Sequence, residues 1–188
     1  GGMNRKHAGE DFYFLHKIFP LGNCYDIYDT TVYPSGRLSD RVPFGTGPAV
    51  KSIIDEGVDY QVYDFSVFDA LKWFYSNLDA FLVDYSPAML PKALNNFFES
   101  SNFREKIDDA RKNSGNSVQF RKRLLHHFDA FQLVKFLNFS HENGSFDKKS
   151  VYSQAERLCR VLGINFDKEQ VNYDLRSYEK ANLRQTIL

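Results

Sequence analysis

Ser66-Val67-Phe68-Asp69-Ala70-Leu71-Lys72-Trp73-Phe74-Tyr75-Ser76-Asn77-Leu78-Asp79-Ala80-Phe81-Leu82 sets its large apolar residues three and four positions apart. That spacing puts Leu71, Phe74, Tyr75, Leu78, Phe81 and Leu82 on one face of an α-helix. Ser66 is placed to cap the first turn, and the stripe runs to Tyr85 before Ser86-Pro87 stops it. A break is expected near Asn77-Leu78-Asp79.

The same period continues toward the C-terminus. Pro91 opens a segment that keeps Leu94, Phe97 and Phe98 on one face as far as Glu99. Asn102 with Glu105 three residues later predicts a capping box, opening a helix that turns Phe103, Ile107 and Ala110 inward until Asn113-Ser114-Gly115-Asn116 ends it. The longest helix is predicted from Ser117 to Phe139, because Phe120, Leu124, Phe128, Phe131, Val134 and Leu137 share one face. Asn143-Gly144 closes it. A helix after Ser150 buries Ala155, Leu158, Cys159 and Leu162 and leaves Gly163 at its C′ position. The last helix is predicted to start at Asp167, with Gln170 completing a second capping box.

Toward the N-terminus the texture changes. Up to about Tyr63 the chain is punctuated by Gly, Pro, Thr and Asp, with β-like runs at Cys24 to Tyr28 and Thr30 to Tyr33. The expected organisation is therefore a small α+β segment over 3–63 followed by a multi-helix domain over 64–188, mainly α overall. Gly1 and Gly2 read as the residue of a cleaved purification tag, with the native frame starting at Met3.

Eighteen Phe and eleven Tyr supply the apolar area for a Phe-rich core. Lys plus Arg and Asp plus Glu both number 24, so no global field draws the chain to nucleic acid or anionic lipid. No apolar run approaches the roughly 20 residues that span a bilayer. Cys24 and Cys159 show no paired spacing, which argues against a disulfide framework and is read as two buried thiols in a reducing, cytoplasmic setting.

Two stretches can bear chemistry. In Gly9-Glu10-Asp11-Phe12-Tyr13-Phe14-Leu15 two carboxylates precede an apolar helical run. In a first turn they face unsatisfied N–H groups and the positive end of the helix dipole, and a carboxylate held there can take a proton from an attacking hydroxyl. Capping alone also explains acids in a first turn. The second stretch, Thr30 to Pro48, holds Arg37 and Arg41 on a loop and then Gly45-Thr46-Gly47-Pro48 at a helix entry. Guanidinium forks suit phosphate or sugar hydroxyls, and a glycine-containing turn can offer N–H groups to an anion. A surface Asp40-Arg41 pair and a plain helix start are the simpler alternatives.

Together these stretches, over about Ala8 to Val50, resemble bacterial family 2 glycosyltransferases, in which Gly-Glu-Asp and an aromatic-rich helix are followed by a Tyr-Pro-Ser, Arg, Ser-Asp-Arg-Val-Pro-Phe-Gly-Thr-Gly segment. The resemblance implies that residues 3–63 are the end of a GT-A fold at its acceptor side. It implies that Asp11 is the catalytic base, with Glu10 positioning the acceptor or supporting Asp11. It places Arg37, Arg41, Gly45, Thr46 and Gly47 near the sugar or diphosphate. The implied substrates are a nucleotide-sugar and a saccharide or lipid-linked acceptor, in surface polysaccharide assembly. No Asp-x-Asp occurs in the chain, so the donor half with its Mg or Mn ion is expected only in a longer parent, and this part alone is expected to be inactive, without metal or cofactor. A homodimer covering the surface left by that half is a further expectation. The rival reading is a non-enzymatic helical interaction module.

Other candidates are weaker. His126-His127 with Asp129 lacks the His-x-x-x-His spacing of a helical metal site. Arg121-Lys122-Arg123 reads as a solvated face rather than a nucleic-acid surface. Trp73 can stack on a sugar ring, although a core or interface position is the commoner use of such a residue.

Overall fold

The computed structural model describes residues 9–22, 24–25, 27, 30, 32–33, 46–56, 59–83 and 86–183. Among them the helices are α1 (Glu10–Ile18), α2 (Thr46–Glu56), α3 (Val67–Ser76), α4 (Lys92–Ser100), α5 (Phe103–Lys112), α6 (Ser117–His127), α7 (Ala130–Glu142), α8 (Val151–Leu162) and α9 (Val171–Leu183). The protein is mainly α. Its only described strands, β1 (Gln61–Val62) and β2 (Lys149–Ser150), pair antiparallel, Gln61 opposite Ser150 and Val62 opposite Lys149. The chain divides into two units: Gln61–Leu158, and Gly1–Tyr60 with Cys159–Leu188.

The unit Gln61–Leu158 is organised by phenylalanine. Phe74, Phe81, Phe98, Phe103, Phe120, Phe128 and Phe136 are almost fully buried, together with Leu94, Ile107 and Leu124. Phe74 and Phe128 stand 4.6 Å apart and Phe98 stacks on Phe103 at 4.6 Å, so rings from α3, α4, α5 and the end of α6 meet in one cluster. Burying each ring stabilises the fold by about 1.5–3 kcal/mol, which is why the Phe-rich stripes predict the core well.

Several helix boundaries differ from expectation for identifiable reasons. The predicted 117–139 helix is two helices. Asn116 caps α6 by accepting the Gln119 N–H at 2.9 Å, and Asp129 caps α7 by accepting the Gln132 N–H at 2.9 Å, with Phe128 at φ −102°, ψ 62° as the break between them. The expected break after α3 is present: Asn77 donates its side-chain amide to the Trp73 carbonyl, and Leu78–Phe81 continues as a 3₁₀ turn. At Asn102 no capping box forms, because the residue adopts a left-handed conformation at φ 52° without a side-chain cap bond. Pro91 precedes α4 as its N-cap. The last helix begins at Val171, four residues after Asp167, whose carboxylate and carbonyl organise the preceding turn. Gly163 terminates α8 at φ 70°, as its position predicts.

Ser66 occupies the residue before α3 but does not cap it. Its N–H donates to Asp64 Oδ1 at 2.8 Å, and its hydroxyl accepts from Arg157 at 2.7 Å. Next to it, His141 Nδ1–H donates to the Leu137 carbonyl at 2.7 Å while Nε2 accepts the Asp64 N–H at 3.0 Å. Tyr63 donates to Asn138 Oδ1, and Gln154 accepts the Phe65 N–H, both at 2.6 Å. Residues 63–66 are thus tied to α7 and α8 by side-chain bonds that replace a sheet.

The described residues of the two β-like runs form no strand; Asp26, Tyr28 and Thr31 lie outside the described residues. Cys159 is buried, but Cys24 is exposed, which corrects the expectation of two buried thiols.

Candidate functional site

Gly9 takes φ 74°, a left-handed turn that a Cβ would strain, and so lets the chain enter α1 at Glu10. No side chain caps this entry. Asp11 follows in the first turn with its carboxylate exposed; Oδ1 accepts the neighbouring Phe12 N–H at 2.8 Å. The Tyr13 N–H closes the turn onto the Gly9 carbonyl at 3.1 Å. Asp11 therefore keeps lone pairs for an incoming proton beside the orphan amides of the helix start.

Farther along the same helix, Leu15 is 42 % exposed, and beyond it Phe19 is 59 % and Leu21 74 % exposed. Thr46 and Gly47 form the first turn of α2, followed by Pro48. Arg37, Arg41 and Gly45 lie outside the described residues. The structure thus places Glu10 and Asp11 on one helix entry and Thr46 and Gly47 on another, and the guanidinium groups are not among what it describes. Among the described residues, no group of three or more His, Cys, Asp and Glu side chains could hold a metal ion.

The remaining sequence candidates have structural explanations. His127 pairs with Asp109 of α5 at 3.2 Å, and Asp129, the expected companion of the histidines, spends its carboxylate capping α7. Arg121 grips Asp79 through both carboxylate oxygens, with Nε to Oδ1 at 2.6 Å. That contact holds the Asp79 carboxyl below its usual range, chiefly through the side-chain hydrogen bond.

A feature that sequence reading did not assemble is a cleft of about 440 Å³ in the unit Gln61–Leu158. It lies between α3, the start of α4 and the turn after α7, and Asp69, Trp73, Lys92, Asn96, Asn143 and Phe146 line it. Trp73 is part-exposed, its ring set edge-on against buried Phe81 at 6.2 Å. The available signal was the pair of i, i+4 spacings, Asp69 with Trp73 and Lys92 with Asn96, each of which puts two polar or aromatic groups on one helix face.

No helix of the described residues is long and apolar enough to cross a membrane. No family model matches the chain, and no curated protein and no solved structure matches it either.

Proposed function

We propose that this chain is the acceptor-side, C-terminal part of an inverting glycosyltransferase resembling family 2, with Asp11 as the catalytic base. The observation that carries this reading is the Gly9-Glu10-Asp11 entry: a left-handed glycine, then a first helical turn with the Asp11 carboxylate exposed and bonded to one neighbouring amide. In the proposed reaction Asp11 takes the proton of an acceptor hydroxyl as that oxygen attacks the anomeric carbon. The bond from that carbon to the nucleoside diphosphate breaks on the opposite face, and the diphosphate leaves with the electron pair. Glu10 supports Asp11 or orients the acceptor. Arg37 and Arg41, with the amides of Gly45, Thr46 and Gly47, balance diphosphate charge.

The described residues do not fit the Mg or Mn ion that such enzymes use, since no acidic cluster comes together among them; the ion belongs, in this reading, to the donor half of a longer parent. A cytoplasmic setting and a homodimer covering the exposed apolar residues of α1 belong to the same proposal. Those exposed residues, Leu15 and Ile18 among them, also favour one second reading, a non-enzymatic helical interaction module.

The deciding experiment replaces Asp11 by Asn in the intact gene product and measures sugar transfer from a panel of nucleotide sugars. The expected loss is about 10²–10⁴-fold, the usual contribution of a general base. Unchanged turnover would remove Asp11 as base, and absence of any transfer by the wild type would favour the interaction module.

A further inference from the structure

We infer that the cleft between α3, the start of α4 and the turn after α7 binds a neutral sugar ring, with Trp73 as its stacking platform and Asn96 and Asp69 as hydrogen-bonding groups. Asp69 and Trp73 project from one face of α3, and Lys92 and Asn96 from one face of α4, so two helices present paired groups to one cavity. The third wall adds Asn143 and Phe146. The volume, about 440 Å³, falls at the small end of ligand sites, which span roughly 300–1,000 Å³.

Polar groups in the cleft have capacity to spare. The Asn96 side-chain amide, half-buried, makes no hydrogen bond to any described residue. Asn143 uses its side-chain oxygen to accept the Ser145 N–H at 3.1 Å and leaves its amide hydrogens without a partner among the described residues. Asp69 has Arg157 at 3.6 Å from one carboxylate oxygen, and the Lys92 ammonium has no acidic partner among the described residues.

The chemistry selects the ligand. The lining carries one carboxylate, Asp69, which Arg157 approaches at 3.6 Å, and one ammonium, Lys92, so neither an anion nor a cation finds a cleft of one opposite sign. A neutral polyol suits both. One face of a pyranose carries C–H bonds that lie well on the electron-rich indole face, while its hydroxyls donate and accept around the rim. Asn amides and an Asp carboxylate supply both complements. The Trp73 ring packs at nearly a right angle to Phe81, 6.2 Å between centroids, and the Asn77 amide donates to the Trp73 backbone carbonyl at 2.7 Å at the end of α3. The cleft shares no residue with the Glu10–Asp11 pair, so saccharide binding here can fail while Asp11 still acts as base, and the reverse.

Trp73 is the only tryptophan of the chain, so intrinsic fluorescence reports on this cleft directly. The full chain is titrated with methyl glycosides of glucose, galactose, mannose and N-acetylglucosamine, and separately with inorganic phosphate. A saturable fluorescence change is expected with at least one glycoside and not with phosphate, with amide NMR shifts concentrated at Ser145 and Phe146. Asn96→Ala should weaken that glycoside about tenfold, the effect of one lost hydrogen bond to a bound ligand. Its melting temperature should match the wild type, because the amide holds nothing in the fold. Fluorescence unmoved by every glycoside, a response to phosphate alone, or equal affinity in Asn96→Ala would each overturn the assignment. If Asn96→Ala does not fold, the position of the wild-type amide shifts decides alone: shifts confined to the turn after α7 and to α3 and α4 support the site, and shifts elsewhere overturn it.

Discussion

Replacing Phe128 by alanine removes a ring from the centre of the aromatic cluster, and the structure sets the size of the effect. Phe128 is 2 % exposed and lies at the break between α6 and α7. Its ring centroid is 4.6 Å from Phe74, 5.5 Å from Phe103, 6.3 Å from Phe98 and 6.4 Å from both Tyr75 and Phe97. Returning most of a phenyl side chain to water costs roughly 2–3 kcal/mol by area. Loss of the two nearest ring pairings adds about 0.5–1.5 kcal/mol each. The sum, about 4 kcal/mol, sits within the usual range for Phe to Ala in a packed core, about 3–5 kcal/mol, where the cavity term is included. For a unit of about 100 residues that corresponds to a fall in Tm of roughly 15–30 °C. Phe128→Leu, which refills much of the volume, should cost less than about 1.5 kcal/mol. Urea unfolding followed in parallel by Trp73 fluorescence and far-ultraviolet circular dichroism measures both. An alanine variant costing under about 1 kcal/mol, or no more than the leucine variant, would refute the placement of this ring at the centre of the core.

Two further outcomes follow from local contacts. Asp129→Ala should destabilise the fold by about 1 kcal/mol by removing the cap on the Gln132 N–H, whereas a continuous 117–139 helix would gain from the change; urea unfolding reads the sign. Burial tends to raise the Asp64 carboxyl, but the Ser66 N–H and hydroxyl with the Arg157 and Lys149 charges outweigh it and leave the group below its ordinary value. A lowered folded value means that Asp64 contributes stability above the unfolded carboxylate range, near 3.9, and that this contribution disappears as pH falls through the folded value. The stability gap between wild type and Asp64→Asn should therefore narrow as urea midpoints are taken from pH 6 to pH 3, and a gap independent of pH would contradict the assigned hydrogen bonds.

Helix identity was legible wherever burial and spacing agreed, and lost wherever one side chain could serve two ends. Phe74, Phe98, Phe103 and Phe120 repeat at helical steps and are buried for that reason, whereas past the break the inward face shifts: Phe136 is buried and Val134, expected inward, is 38 % exposed. Leu124, Phe128 and Phe131 keep the same phase across the gap between α6 and α7, so the apolar pattern alone reads straight through it. What breaks the helix is Asp129, a residue equally at home on a helix surface until its carboxylate is seen accepting the Gln132 N–H. Asn102 failed in the opposite sense: a residue type suited to capping was also suited to a left-handed turn, and the backbone took the turn. The two-residue pairing of β1 with β2 is too short to leave an alternating pattern.

The sites divide along the same line. Asp11 lies in one contiguous motif, so its place at a helix entry could be read from Gly9 and the apolar run behind it. Asp69, Trp73, Lys92, Asn96, Asn143 and Phe146 come from three segments that only packing brings together. Spacing could pair them two by two on α3 and on α4, but the cleft needed the Phe81 and Phe98 cluster to set those helices side by side. If the cleft binds sugar, the Phe-rich core is what assembles its three walls. Core variants such as Phe128→Ala would then be expected to weaken glycoside binding as well as stability, while Asn96→Ala separates the two.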